Sequence, residues 1–488
     1  MEMKVSYVFR SLFFVMPLVV CLVLVAGCAV GPDYAAPDLE MPQAWYGKNS
    51  EPEPEQYVKT TEMSNWWILL NDPDLKQLID QSLYGNITLK EAYYRIVVAQ
   101  AQKQYAQGEY FPRIDMQTGY TRSRASQNTS LKRTGQEAEP MDTYSAGLGT
   151  SWELDLFGRI RRSVESADAS LDASKEACND IMVSLTSSVA SSYIELRTLQ
   201  ERIAFAKKNI DLQQETLKLT VARFDSELVP ELDVEQAKLN LANTQAAISS
   251  LQKAESEVFN RLAVLLGGFP HGLRARITEG APIPEISPEI PKIVPLEIIR
   301  QRPDIRLAER QLAAQTARIG IAKTGFYPVA SFKGSFFLEG TEPSDLKDIS
   351  SRRYSFGPQF DWNIFEGGRT LSNVRIESAK TEQVKLQYEQ TVLSAVEEVE
   401  NALAFYSEEK KRYEALQQSA ESSQKSVELV SSLYRSGLTD FQNVLDMQRT
   451  LFKSQDELAN SKGQIIQDWI RIYKAFGGGW PMDAGRKE

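Results

Sequence analysis

Residues 354–364 read Tyr-Ser-Phe-Gly-Pro-Gln-Phe-Asp-Trp-Asn-Ile, and residues 144–156 read Tyr-Ser-Ala-Gly-Leu-Gly-Thr-Ser-Trp-Glu-Leu-Asp-Leu. In both, even positions are largely aromatic or aliphatic and odd positions are small, polar or acidic. Successive side chains of a strand point to opposite faces, so each segment predicts a strand with one apolar and one polar face. Weaker partners precede them, carried by Ile114, Met116, Thr118 and Tyr120, and by Ala330, Phe332, Gly334 and Phe336. The predicted strands cover about 111–121, 144–156, 327–338 and 354–365. Runs of this length, rich in aromatics and flanked by polar loops, fit membrane strands. Alternation alone also fits a soluble hairpin with one face on a core. Four strands do not close a membrane barrel, and open edges are not tolerated in lipid. A membrane reading therefore requires several copies sharing one barrel.

Working outward, the chain repeats itself. Tyr144, Trp152, Gly158 and Arg159 recur as Tyr354, Trp362, Gly368 and Arg369, and Phe224, Ser226, Leu228 and Val234 as Tyr434, Ser436, Leu438 and Val444, all 210 residues apart. Tyr110-Phe111-Pro112 recurs as Phe326-Tyr327-Pro328 at a larger offset, so the first half carries extra residues that predict an exposed loop over 122–143. Repeat 1 is placed at 66–266 and repeat 2 at 304–476. A proline-rich segment over 267–303 joins them, too interrupted for a regular helix. A similar segment over 28–65 precedes the first repeat, and 477–488 forms a C-terminal tail.

Neither Gly nor Pro occurs from Arg159 to Val229 or from Arg369 to Ser436. Apolar residues recur at three-four spacing, as in Val392, Val396, Val399 and Leu403, which predicts coiled-coil-like helices. At ~1.5 Å per residue each would span on the order of 100 Å. Their Glu, Lys, Arg and Gln content places them in water. Breaks at Ser226–Pro230 and Ser436–Thr439 are the tips of two helical hairpins, 159–266 and 369–476.

Lys4 and Arg10 precede an apolar run ending Val25-Ala26-Gly27-Cys28. This reads as a signal segment over 1–27 whose end resembles the bacterial lipobox, with Cys28 as the lipidated first residue of the mature chain. Ala29, which is not Asp, favours the outer membrane in that resemblance. After processing only Cys178 is left as a free cysteine, so no intramolecular disulfide is expected.

The formal charge is −10, with no strongly basic stripe, which argues against nucleic-acid binding. His271 is the single histidine, and no zinc-ligand spacing, nucleophile elbow or phosphate-binding glycine loop occurs. No catalytic residue, metal site or cofactor is expected beyond the lipid on Cys28. A transport channel and a non-conducting coiled-coil envelope lipoprotein both remain open on these grounds.

Trp66-Trp67 followed by Asn71-Asp72-Pro73, Arg302-Pro303-Asp304-Ile305-Arg306, the Phe326-Tyr327-Pro328 strand entry, and Tyr434, Gly437, Val444-Leu445-Asp446 and Gln448-Arg449 come in an order that resembles the TolC-like outer-membrane efflux proteins, lipoprotein branch. The resemblance covers nearly the whole mature chain. It implies a mainly α protein with a membrane β-barrel: a homotrimer with a 12-stranded barrel continuous with a long periplasmic α-helical barrel. It also implies a periplasmic adaptor, an inner-membrane resistance–nodulation–division transporter, outer-membrane lipid around the strands, and a duct that consumes no fuel. By position, Asp446 matches an acidic gate residue, Asn443 stands where some relatives have a second acid, and Arg449 lies one turn away to pair with Asp446 or a neighbouring chain. Ser226, Glu227, Pro230, Ser436, Gly437 and Thr439 fall at the adaptor-contacting tips. Glu227 replaces the glycine of its twin, so the two tips are expected to differ in shape. By strand parity, Glu153, Asp155 and Asp361 line the barrel lumen. A type I protein-secretion duct is the alternative within the channel class.

Overall fold

The computed structural model describes residues 29–37, 63–126, 128, 139–274, 277, 281–284 and 301–480. The signal segment, Cys28, most of 28–65, residues 285–300 of the linker and the tail beyond residue 480 lie outside the described residues. The chain divides into two compact units, one of Met1–Pro37, Ile96–Ser174 and Ala308–Tyr388, the other of Asp38–Arg95, Lys175–Leu307 and Glu389–Glu488.

In chain order the main elements are α1 (Pro73–Gly85), α2 (Ile87–Gly108), β1 (Arg113–Ser123), β2 (Met141–Leu154), α3 (Arg159–Asp225), α4 (Glu231–Leu265), α5 (Pro303–Thr324), β3 (Val329–Gly340), β4 (Arg352–Asp361), α6 (Arg369–Arg435) and α7 (Phe441–Ala475). The helices α3 and α6 each have 67 residues, and α4 and α7 each have 35. They follow from the absence of Pro and the near absence of Gly, Gly463 in α7 being the exception, because each intrahelical glycine costs about 1 kcal/mol and each proline about 3.

In the first unit the four strands form one antiparallel sheet in the order β1-β2-β3-β4. Each strand lies two to four residues closer to its hairpin loop than apolar alternation predicts. Arg122, Ser123 and Met141–Thr143 pair in the ladder although the sequence reads as loop there. Alternation marks only the part of a strand with an apolar face, while backbone pairing runs on past it. At the other end, Asp155 has left the strand. It caps α3, accepting from the amides of Ile160 at 3.0 Å and Arg161 at 2.9 Å. Gly158 makes the turn with φ +82°.

This unit also holds residues 29–37. The Val30 amide donates to the Phe157 carbonyl, and the buried Arg162 guanidinium donates to the Val30 and Gly31 carbonyls and to Asp33. A Cβ on Gly158 would meet Ala29, and one on Gly31 would meet the backbone of Gly320.

The second unit carries the largest core. Trp66 packs on Trp469 and Tyr473, each with ring centroids 5.8 Å away. Asp72 is the N-cap of α1, accepting from the Leu75 amide at 2.9 Å, and Pro73 fills the first helical position. The Tyr193 hydroxyl donates to Asp72 at 2.7 Å. Arg197, fully buried, donates to Tyr193, Gln200 and Asp74, each at 2.9 Å. Burial first, and the bond to Asp72 second, push the Tyr193 phenol well above its ordinary value. Arg302 donates to Asp304, Glu398 and the Ala475 carbonyl, which ties the start of α5 to α6 and the end of α7. The Asn-Asp-Pro and Arg-Pro-Asp segments are thus built-in fasteners.

Candidate membrane channel and gate

Among the described residues, nothing covers most of the sheet's apolar side. Met116, Leu148, Phe336, Phe356 and Phe360 are between 49% and 74% exposed. The opposite side carries Ser145, Gly149, Ser151, Ser335, Ser355 and Gln359. Tyr144 and Trp152 lie eight residues apart on β2, as do Tyr354 on β4 and Trp362 just beyond it, a distance of about 27 Å along the strand. After tilting this matches the apolar band of an outer-membrane barrel, about 25 Å tall and bounded by aromatic girdles. The indole of Trp152 donates to the Tyr110 carbonyl at 2.9 Å, and that of Trp362 to the Phe326 carbonyl at 3.1 Å. Both donors are satisfied without water at the end where the chain enters each hairpin. Among the described residues, strands β1 and β4 have no neighbour on their outer edges.

In the second unit the helical hairpins end in matching turns. Glu227 donates its amide to the Phe224 carbonyl and Leu228 to that of Arg223. Gly437 donates to Tyr434 and Leu438 to Leu433. These are Schellman closures, with Glu227 at φ +58° and Gly437 at φ +75°. The expectation of differently shaped tips is therefore corrected, because hydrogen bonding holds Glu227 in the left-handed region that glycine takes freely. Glu227→Gly is expected to stabilise the first tip by about 1 kcal/mol, since a side chain in that region costs about that much. Slower amide exchange at Leu228 would be the readout.

The two tips are joined by Arg223, whose guanidinium donates to the Tyr434 carbonyl and lies 4.6 Å from the Tyr434 ring centroid. Tyr434 packs with Phe441, Val444, Leu445 and Ala237. The Asp233 carboxyl is pushed above its ordinary value, by loss of hydration first and the Asp440 charge second, while Arg223 pulls it down.

The sequence model described as "Outer membrane efflux protein" matches residues 78–268 and 294–478. The chain belongs to this family. It is 31% identical to nodulation protein T of Rhizobium leguminosarum bv. trifolii over 92% of this chain and 93% of that protein. It is 28% identical to the probable outer membrane lipoprotein SilC of Salmonella typhimurium over 94% and 97%. A solved structure of the outer-membrane channel OprN superposes with a TM-score of 0.86 at 33% identity, covering 93% of this chain and 100% of that one. This outer membrane efflux protein is thus a mainly helical outer-membrane channel component of an efflux system, in a family of channel and efflux proteins.

Within it, Asp446 is exposed on α7 and accepts from Gln442 at 3.0 Å. Asn443 donates to Thr439 at 2.9 Å. Arg449 turns away from Asp446 and donates to Asn240 on α4 at 3.3 Å, so the pair expected from helical spacing is replaced by a contact between helices. Ser226, Ser436, Pro230 and Thr439 flank the two turns, with Pro230 as the N-cap of α4. Glu153 is gripped by Arg159, which also holds Glu109. Asp155 is a cap, and its side chain is committed to α3. Asp361 ends β4 and accepts from Gln359 at 3.0 Å. Arg223 was missed. Its counterpart 210 residues on is Leu433, so a mismatch in the internal repeat was the available sign.

Proposed function

We propose that three copies of this efflux protein complete a twelve-stranded barrel, and that the assembly conducts substrates passively from a periplasmic adaptor and an inner-membrane resistance–nodulation–division transporter to the exterior. The observation that carries this reading is the four-stranded sheet with an exposed apolar face and two unpaired edges. Such a sheet is stable in lipid only when copies close the ring. Cys28 carries the lipid that anchors the chain. Glu153 and Asp361 lie on the polar, lumen side. The tips, with Ser226, Glu227, Ser436 and Gly437 and the exposed Leu228 and Leu438, contact the adaptor. The gate lies at α7, where a ring of Asp446 carboxylates with Asn443 narrows the periplasmic end, and the Arg223–Tyr434 link holds the two hairpins together. No residue performs catalysis, and no cofactor is used.

Planar-bilayer recording tests the reading. The purified assembly is expected to conduct little at rest. Asp446→Ala should raise open probability by roughly tenfold to a hundredfold, the effect of losing charge-assisted contacts worth about 1.5–3 kcal/mol. An assembly that stays closed with and without Asp446, at every applied voltage, would favour the non-conducting scaffold.

A further inference from the structure

The two free edges of the sheet both end, on the hairpin-loop side, in arginine. Arg122 is the penultimate residue of β1, and Arg352 is the first residue of β4. Strand parity puts both on the apolar face. Tyr120 lies two residues inside Arg122, and Tyr354 lies two residues inside Arg352. Both arginines are exposed, just beyond the tyrosine level of the girdle. Arg122 reaches one carboxylate, Asp142, at 3.7 Å, and Asp142 also accepts from the Tyr120 hydroxyl at 2.9 Å. Arg352 stands across from Leu338 and has no carboxylate partner among the described residues. Its neighbour Arg353, on the polar face, is the one paired with Glu339, at 3.2 Å.

The next step rests on the ring of copies proposed above. Because the order is β1-β2-β3-β4 and every pairing is antiparallel, β4 of one copy meets β1 of the next in antiparallel sense. With the strand ends flush, Asp361 faces Arg113 at one end and Arg352 faces Arg122 at the other. The first pair joins opposite charges on the polar face. The second sets two like charges directly opposite each other on the lipid face, an arrangement that destabilises an antiparallel pair. It lies where lipid headgroups begin and water thins, so the repulsion is poorly screened. An anion between the two guanidinium groups turns this cost into a bond. Guanidinium presents planar paired donors that match phosphate oxygens.

We infer that Arg122 and Arg352 of adjacent copies form a phosphate-binding pair for a phosphorylated lipid of the outer leaflet, so that each seam of the barrel is closed by lipid as well as by backbone hydrogen bonds.

The test uses the full-length assembly, washed and then incubated with bisphosphorylated lipid A or its phosphate-free analogue in a phosphatidylethanolamine carrier. Native mass spectrometry counts the lipids retained. The wild-type assembly should retain the phosphorylated lipid about tenfold better than the analogue, as expected for a charge-assisted contact. Arg352→Gln and Arg122→Gln, each tested alone, should fall to the level of the analogue. Arg353→Gln, on the other face, should retain lipid like the wild type. Equal retention by the wild type and either seam variant overturns the inference, as does equal retention of the two lipids. Complete displacement by millimolar inorganic phosphate would mark a soluble-anion site and overturn the lipid assignment. The mass before lipid addition reports separately on the ring: a monomer would reject the shared barrel itself, whereas a trimer without phosphate preference rejects the seam site alone.

Discussion

Leu148→Arg is expected to abolish insertion of the assembled channel into outer membranes, while Gly149→Arg, one residue along, should insert normally and shift ion selectivity towards anions. Leu148 sits midway between Tyr144 and Trp152 on β2, half-exposed, with Met116 and Phe336 as its cross-strand partners. Arginine at the midplane of a lipid-facing strand costs about 2–4 kcal/mol. In a ring of three the cost recurs in every copy, to about 6–12 kcal/mol per assembly. Gly149 points to the polar side, and a Cβ there meets nothing within 4 Å. A side chain at that position has room and faces water. Membrane fractionation with a heat-modifiability gel separates the two outcomes. If both variants insert equally, the apolar face is covered by protein and the barrel reading fails.

Arg197→Ala should lower the stability of the second unit by about 3–5 kcal/mol, the usual consequence of removing one partner of a buried ion pair. The guanidinium is fully buried, and Asp74, Tyr193 and Gln200 would each lose this one donor. Asp72, which caps α1, is reached through Tyr193, so the start of α1 should loosen with it. Replacing both partners, Arg197→Met with Asp74→Leu, should recover much of the loss, because an apolar pair leaves no charge stranded. Chemical denaturation of the detergent-solubilised protein measures this. A loss below about 1 kcal/mol for Arg197→Ala would mean that the network is solvated in practice.

Much of the fold was legible because its determinants are local. Alternation over residues 354–364 and the lack of Gly and Pro from Arg159 to Val229 are each read within one element. The ends of the strands were not legible, since Arg122, Ser123 and Met141 pair through backbone beyond the apolar alternation. The contacts at the tips were also hidden. Arg223 meets Tyr434, and Arg449 meets Asn240, across more than 200 residues of sequence, and helical spacing around Asp446 says nothing about a partner on another helix. The left-handed Glu227 ran against residue preference, because the Schellman bonds around it outweigh the local cost.

The grip of Arg162 on Val30, Gly31 and Asp33 bears on how this protein is engineered. Splicing an affinity tag next to Ala29 would disturb a bolt seated between Gly158 and Gly320. A fusion is better placed where Ala29 to Asp33 keep their sequence and their contacts with Arg162.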